Sequence, residues 1–194
     1  MKKATHLALG VLVLFAFLVG SDLLGLVCAA SAASDSQSTK DIERAWLLKQ
    51  ALPGADRFES RDEGGTQYEI AYRGEEVMGG VFYTDGVGYG GVMRFMVGLD
   101  PEGKVVEIVL VSHRESKGLG SKVDDPVFLS QFRGRGGPFV LKRDHPSGNI
   151  DGVAGATLSS RGVVMAVEEA VKAFHRVWKA EEGTPPIPPA KEEE

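Results

Sequence analysis

Gly86-Val87-Gly88-Tyr89-Gly90-Gly91 has the spacing of the G-x-G-x-x-G fingerprint that opens the first helix of a dinucleotide-binding βαβ unit. The residues after it decide against that fold. The fingerprint needs a helix directly behind its glycines, whereas Met93-Arg94-Phe95-Met96-Val97-Gly98-Leu99 has no helical period and reads as a strand. Asp100-Pro101-Glu102-Gly103 then turns the chain into a further strand, Val105 to Val111. The glycines therefore form a sharp corner between strands. Whether they also let a flat ring approach the backbone stays open at this point.

Upstream, Gln67 to Tyr72 and Val77 to Tyr83 read as strands, and the acidic, Gly-containing stretch Glu59 to Thr66 reads as a surface turn. Asp41 to Leu52 is expected to be a short amphipathic helix with Ile42, Ala45, Leu48 and Leu52 on one side, ended by Pro53-Gly54. Downstream, Asp125-Pro126 opens a short helix through Phe132, with aspartate as N-cap and proline in the first turn. Phe139 to Leu141 reads as a short strand and His145-Pro146-Ser147-Gly148 as a turn, with His145 an exposed loop residue. Val163, Val167, Val171, Phe174 and Trp178 then recur at helical spacing, with Glu168, Glu169, Lys172 and Arg176 opposite. Strand signals that follow one another without alternating helices predict an α+β domain. Its mainly antiparallel sheet spans Gln67 to Leu141 and is covered by a C-terminal helix, Arg161 to Trp178.

Two stretches are chemically dense. The first is Asp151-Gly152-Val153-Ala154-Gly155-Ala156-Thr157-Leu158-Ser159-Ser160. Its small residues permit a tight turn and close approach of a ligand. Ser159 and Ser160 stand where N-cap residues stand, and Thr157 brings a hydroxyl to a helix N-terminus, where N–H groups and the dipole favour an anion such as phosphate. The alternative is a small-residue turn that only caps a structural helix. The second stretch is His113-Arg114-Glu115-Ser116-Lys117-Gly118-Leu119-Gly120, a polar loop with two glycines. His113 and Glu115 could be read as metal ligands, but no further His lies close in sequence.

Asp-x-x-(Ser/Thr)-Gly-Ala-Thr is the pattern at which flavin transferases attach FMN. The chain resembles, through it, the FMN-binding domain found in the G subunit of the Rnf complex and in the related C subunit of the sodium-translocating NADH:quinone oxidoreductase. Asp151, Gly155, Ala156 and Thr157 match, while Ala154 stands where the family has Ser or Thr. Glu115, Ser116, Gly118, Leu119 and Gly120 match a Glu-(Thr/Ser)-x-Gly-Leu-Gly segment that lines the flavin there, with Lys117 where proline is common. Tyr89 and Gly90 lie in a Gly-Tyr-Gly-Gly segment that leads into a similar hairpin. The likeness runs in order from about Leu52 to Trp178. It implies an electron-transfer protein with FMN linked covalently by phosphoester to Thr157. Its implied partners are the other membrane subunits of an Rnf-type, ion-translocating complex and a flavin transferase for maturation.

With 194 residues, 43% hydrophobic and 25% charged, the chain suits one folded domain with tails. A net charge of −5 argues against a nucleic-acid partner. Cys28 is the only cysteine, so the domain offers no disulfide, Cys zinc site or Cys-ligated cluster, and a redox role would fall to an organic cofactor. Residues 1–33 combine Lys2 and Lys3, an apolar run and an Ala30-Ser31-Ala32 exit, as a signal peptide or a membrane anchor does. Either puts the domain on the extracytoplasmic side of the cell membrane. The expected organisation is leader, helix and linker over 34–66, FMN-binding domain over 67–179, and a disordered acidic, Pro-rich tail over 180–194. Two other functions fit the residues: an extracytoplasmic FMN-binding regulatory or sensor module outside any electron-transport chain, and a cofactor-free interaction domain.

Overall fold

The computed structural model describes residues 39–115 and 120–178; the expected leader and tail, and four residues of the polar loop, 116–119, lie outside them. The chain divides into two compact units, Met1–Ala45 and Trp46–Glu194. Of the first unit only 39–45 is described, as part of a helix, α1, over 39–51. No helix among the described residues is long and apolar enough to cross a membrane.

The second unit is built on one five-stranded antiparallel sheet in sequential order: β1 (Arg57–Glu63), β2 (Thr66–Arg73), β3 (Glu76–Gly88), β4 (Gly91–Leu99) and β5 (Val105–Ser112). A short helix α2 (Pro126–Leu129) and the long helix α3 (Thr157–Val177) complete it. The expected α+β architecture is present, with the sheet displaced toward the N-terminus. The stretch expected as a surface turn is mostly strand: β1 pairs with β2 from Arg57↔Tyr72 to Glu63↔Thr66, and only Gly64-Gly65 turn, both at positive φ. An edge strand buries little, so it carries charge and shows no apolar alternation. In contrast, Phe139 to Leu141 makes no ladder. Leu141 has a single parallel bridge to Ile150, while Phe139 and Leu141 are buried in the core.

Each face of the sheet has its own core. On one, α3 lays Val163, Val167, Val171 and Phe174 against Tyr68, Ile70, Phe82, Phe95 and Val97. Tyr68 stacks on Phe82 at 5.2 Å, and Phe174 meets Phe82 edge-on at 5.9 Å and stacks on Trp178 at 4.9 Å. On the other face, Leu48, Ala51 and Leu52 pack with Ala71, Val81 and Met96. Asp125 caps α2 as expected, its side chain accepting the Val127 N–H with Pro126 beside it.

At its far end β3 runs past the start of α3 with backbone against backbone. A Cβ on Gly86 would lie 2.3 Å from the Gly162 carbonyl oxygen, and one on Gly162 would lie 2.5 Å from that of Val87. This approach fixes the β3–β4 hairpin tip relative to the first turn of α3. Gly86→Ala is therefore expected to destabilise the domain by about 1–3 kcal/mol, the range for forced overpacking. A lower urea midpoint at unchanged m would register it.

Candidate functional site

The segment Asp151 to Ala156 is held by side chains from its flanks. Gln131 Oε1 accepts the Asp151 N–H at 2.7 Å, and Gln131 Nε2 donates to the Asp151 carbonyl at 3.1 Å. Ser160 Oγ accepts the Val153 N–H and donates to the Ala156 carbonyl, both at 2.9 Å. Between these anchors Gly155 takes a φ of +78°, a left-handed conformation that a side chain would strain. The Ala156 N–H closes the turn on the Val153 carbonyl at 3.0 Å.

The turn starts α3 earlier than the sequence suggests. Ala156 occupies the N-cap with no side-chain bond, and Thr157 is the first helical residue. Ser159 and Ser160 are thus not caps. Both are fully buried in the first turn and reach back to neighbouring loops. Thr157 is half-buried, and its Oγ1 accepts from Arg143 Nη1 at 2.6 Å. Because a guanidinium only donates, the threonine hydroxyl proton remains uncommitted to this partner.

Arg143 sits in a tightly closed loop. Lys142 N–H donates to the Ile150 carbonyl at 2.9 Å, Asn149 N–H to that of Val140 at 2.8 Å, and Asp144 N–H to that of Leu141 at 2.9 Å. Asp151 carries its carboxylate to Lys142 Nζ at 2.6 Å, on the exposed side. Asp144 takes Arg161 in a two-point pair, at 2.7 and 2.6 Å. That hydrogen-bonded guanidinium lowers the Asp144 carboxyl below its ordinary value.

The hairpin tip joins from the other side through Glu115, which is only 8% exposed. Its Oε1 accepts the Gly90 N–H at 2.8 Å and its Oε2 accepts the Ser159 hydroxyl at 2.7 Å, while Ser159 Oγ accepts the Tyr89 N–H at 3.3 Å. A buried carboxylate is tolerated here because charge-assisted donors replace water. The hairpin glycines have their reason in the same contact. A Cβ on Gly88 would lie 2.2 Å from Glu115 Oε1, and one on Gly90 would lie 2.1 Å from the Arg114 carbonyl oxygen.

Asp151, Gly155, Ala156, Thr157, Tyr89, Gly90 and Glu115 thus gather at one end of α3. Gly120 begins a 3₁₀ turn, Gly120–Asp124, while Ser116, Gly118 and Leu119 lie outside the described residues. His113 Nδ1 accepts the Glu115 N–H at 3.0 Å, and among the described residues no group of His, Cys, Asp or Glu could hold a metal ion. Tyr89 is 80% exposed, and Val87, Val92 and Leu158 also show apolar surface near the tip and the first turn of α3. A half-buried threonine, a cation on its hydroxyl oxygen and exposed apolar side chains suit a phosphorylated, planar aromatic group. Arg143 and Gln131 belong to the site without any local signal in the sequence, since each acts on a segment distant along the chain.

A family profile described as FMN-binding domain matches residues 88–172. The chain is 32% identical to the G subunit of the proton-translocating ferredoxin:NAD(+) oxidoreductase complex of Clostridium ljungdahlii, over 64% of this chain and 68% of that protein. It is also 32% identical to the G subunit of the ion-translocating oxidoreductase complex of Cereibacter sphaeroides, over 89% of this chain and 90% of that protein. Among solved structures, the C subunit of the Na(+)-translocating NADH-quinone reductase from Parabacteroides distasonis superposes with a TM-score of 0.50 at 19% identity. The overlay covers 60% of this chain and 64% of that one, a likeness of fold.

Replacing Glu115 by alanine leaves the half-buried Gly90 N–H and the buried Ser159 hydroxyl without their acceptor. An unsatisfied buried donor costs about 1–3 kcal/mol. Hydrogen exchange at the Gly90 and Tyr89 amides should quicken by at least about tenfold in Glu115→Ala, with amides in the middle of β2 little changed.

Proposed function

Because the chain belongs to the FMN-binding-domain family that includes the G subunits of ion-translocating oxidoreductase complexes, we propose that it serves such a complex as an electron-transfer flavoprotein with FMN linked to Thr157. The observation that carries this reading is the setting of Thr157. It is half-buried at the first position of α3, with Arg143 on its hydroxyl oxygen and the Tyr89 tip tied to the same turn.

Attachment joins Thr157 Oγ1 to the FMN phosphorus of FAD. The pyrophosphate P–O bond on that phosphorus breaks, AMP leaves, and the hydroxyl proton passes to a magnesium-dependent flavin transferase. Gly155 and Ala156 leave room for that enzyme. The helix N-terminus then favours the anionic diester by about 0.3–1 kcal/mol. Asp151, drawn toward Lys142, is kept from opposing it. Ala154 is exposed, so the fold loses nothing by lacking a hydroxyl there.

Bound FMN supplies one- and two-electron transfer, and the protein supplies position and surroundings. Tyr89 and Leu158 present apolar surface for the ring. Ser116, Gly118, Leu119 and Gly120 belong to the flavin-lining segment that the family resemblance implies, with Leu119 the side chain suited to the ring face. Glu115 acts by holding Gly90 and Ser159 in place. The domain works outside the cytoplasm, held at the membrane by its leader or by the other membrane subunits of an Rnf-type complex.

With the transferase co-expressed, Thr157→Val should lose the flavin from its intact mass and keep its thermal transition. Flavin still attached in that variant, or mapped to Ser159 or Ser160, would refute the assignment. Leu119→Asp should keep the attachment and shift the flavin's spectrum or potential; identical values would remove the loop from the site.

A further inference from the structure

The charges around Thr157 are arranged unevenly. Lys142, Arg143 and Arg161 bring three positive charges, while Asp144 and Asp151 bring two negative ones. The pairing leaves out one cation. Asp151 goes to Lys142. Asp144, the sequence neighbour of Arg143, is turned to Arg161 and held there at both oxygens. Among the described residues Arg143 meets no carboxylate within ion-pair reach, and its Nη1 lies 2.6 Å from the very oxygen proposed to carry the flavin. The loop that bears it is closed by its own backbone hydrogen bonds, so the guanidinium is presented from a fixed base.

We propose that Arg143 is the phosphate seat of this site: its guanidinium, now on Thr157 Oγ1, pairs with the non-bridging oxygens once that oxygen is esterified. The inference rests on the attachment proposed above. A planar fork of N–H donors matches two phosphate oxygens, which an ammonium does less well. A phosphodiester adds one negative charge beside Arg143, which among the described residues has no carboxylate within ion-pair reach. Arg143 is exposed, and in the unloaded protein its hydrogen bond to Thr157 Oγ1 is exposed as well, so its removal should act mainly on the loaded protein.

The full chain is co-expressed with the transferase as wild type, Arg143→Gln, Arg143→Lys and Lys172→Gln. The last removes one positive charge remote in sequence from the loop, where Lys172 faces Glu168. Intact mass gives the loading, and Tm is measured for loaded and unloaded forms of each. The unloaded forms should melt together. Loading should lower Tm in Arg143→Gln by about 2–4 °C relative to its effect on wild type. Arg143→Lys should fall between, and Lys172→Gln should behave as wild type. Loading of Arg143→Gln should also be slower by about tenfold, as loss of a charge-assisted hydrogen bond implies. Equal loading effects on Tm across all four proteins would overturn the seat while leaving the attachment intact. So would loss of loading in both Arg143 variants, since a lysine keeps the full positive charge and lacks only the planar fork. Wild type that never gains the flavin mass would instead refute the attachment itself, and the seat with it.

Discussion

Where β3 crosses the first turns of α3, two backbones touch. Gly86 and Gly162 leave no side chain between the strand and the helix, and a methyl group on either would meet a carbonyl oxygen at 2.3 or 2.5 Å. Helices and sheets normally pack with side chains interleaved between them, at about 10 Å. Losing that layer at one end brings the hairpin tip down onto the start of α3. The remaining features of the site depend on this approach, because Glu115 spans the gap only if Gly90 and Ser159 are already close.

Glu115 converts proximity into fixed geometry. A carboxylate that accepts one backbone N–H and one hydroxyl holds two elements that are far apart in sequence, and the small residues around it leave space for no substitute. Ser159 is shared, since it also accepts the Tyr89 N–H. On the opposite side, Gln131 and Ser160 set the turn that precedes α3. Thr157 is therefore positioned by polar side chains from other segments of the chain, Glu115 and Gln131, and not by its own turn alone.

The surface around Thr157 has two characters. Exposed apolar side chains, Tyr89 and Leu158 among them, lie toward the hairpin, while the loop bearing Lys142, Arg143 and Asp144 brings charge. An amphiphilic cofactor with a flat ring and an anionic end has matching halves.

Local sequence determines a good deal. The strand character of Met93 to Leu99 rules out a dinucleotide fold, and the spacing of Val163, Val167, Val171 and Phe174 sets the helix that covers the sheet. Asp125-Pro126 marks the start of α2. These follow from periodicity and cap chemistry, which act over a few residues. Polar strand β1 has no such signal, because an edge strand needs hydrogen-bond partners more than apolar side chains. Ser159 and Ser160 resemble caps in the sequence, but the left-handed Gly155 starts the helix at Thr157 and turns them into buried ties. Only the tertiary structure decides that Glu115 reaches Gly90 and Ser159, that Gln131 holds Asp151, and that Arg143 lies on Thr157 Oγ1. Each joins residues from 14 to 44 positions apart, and no local periodicity or cap rule extends that far.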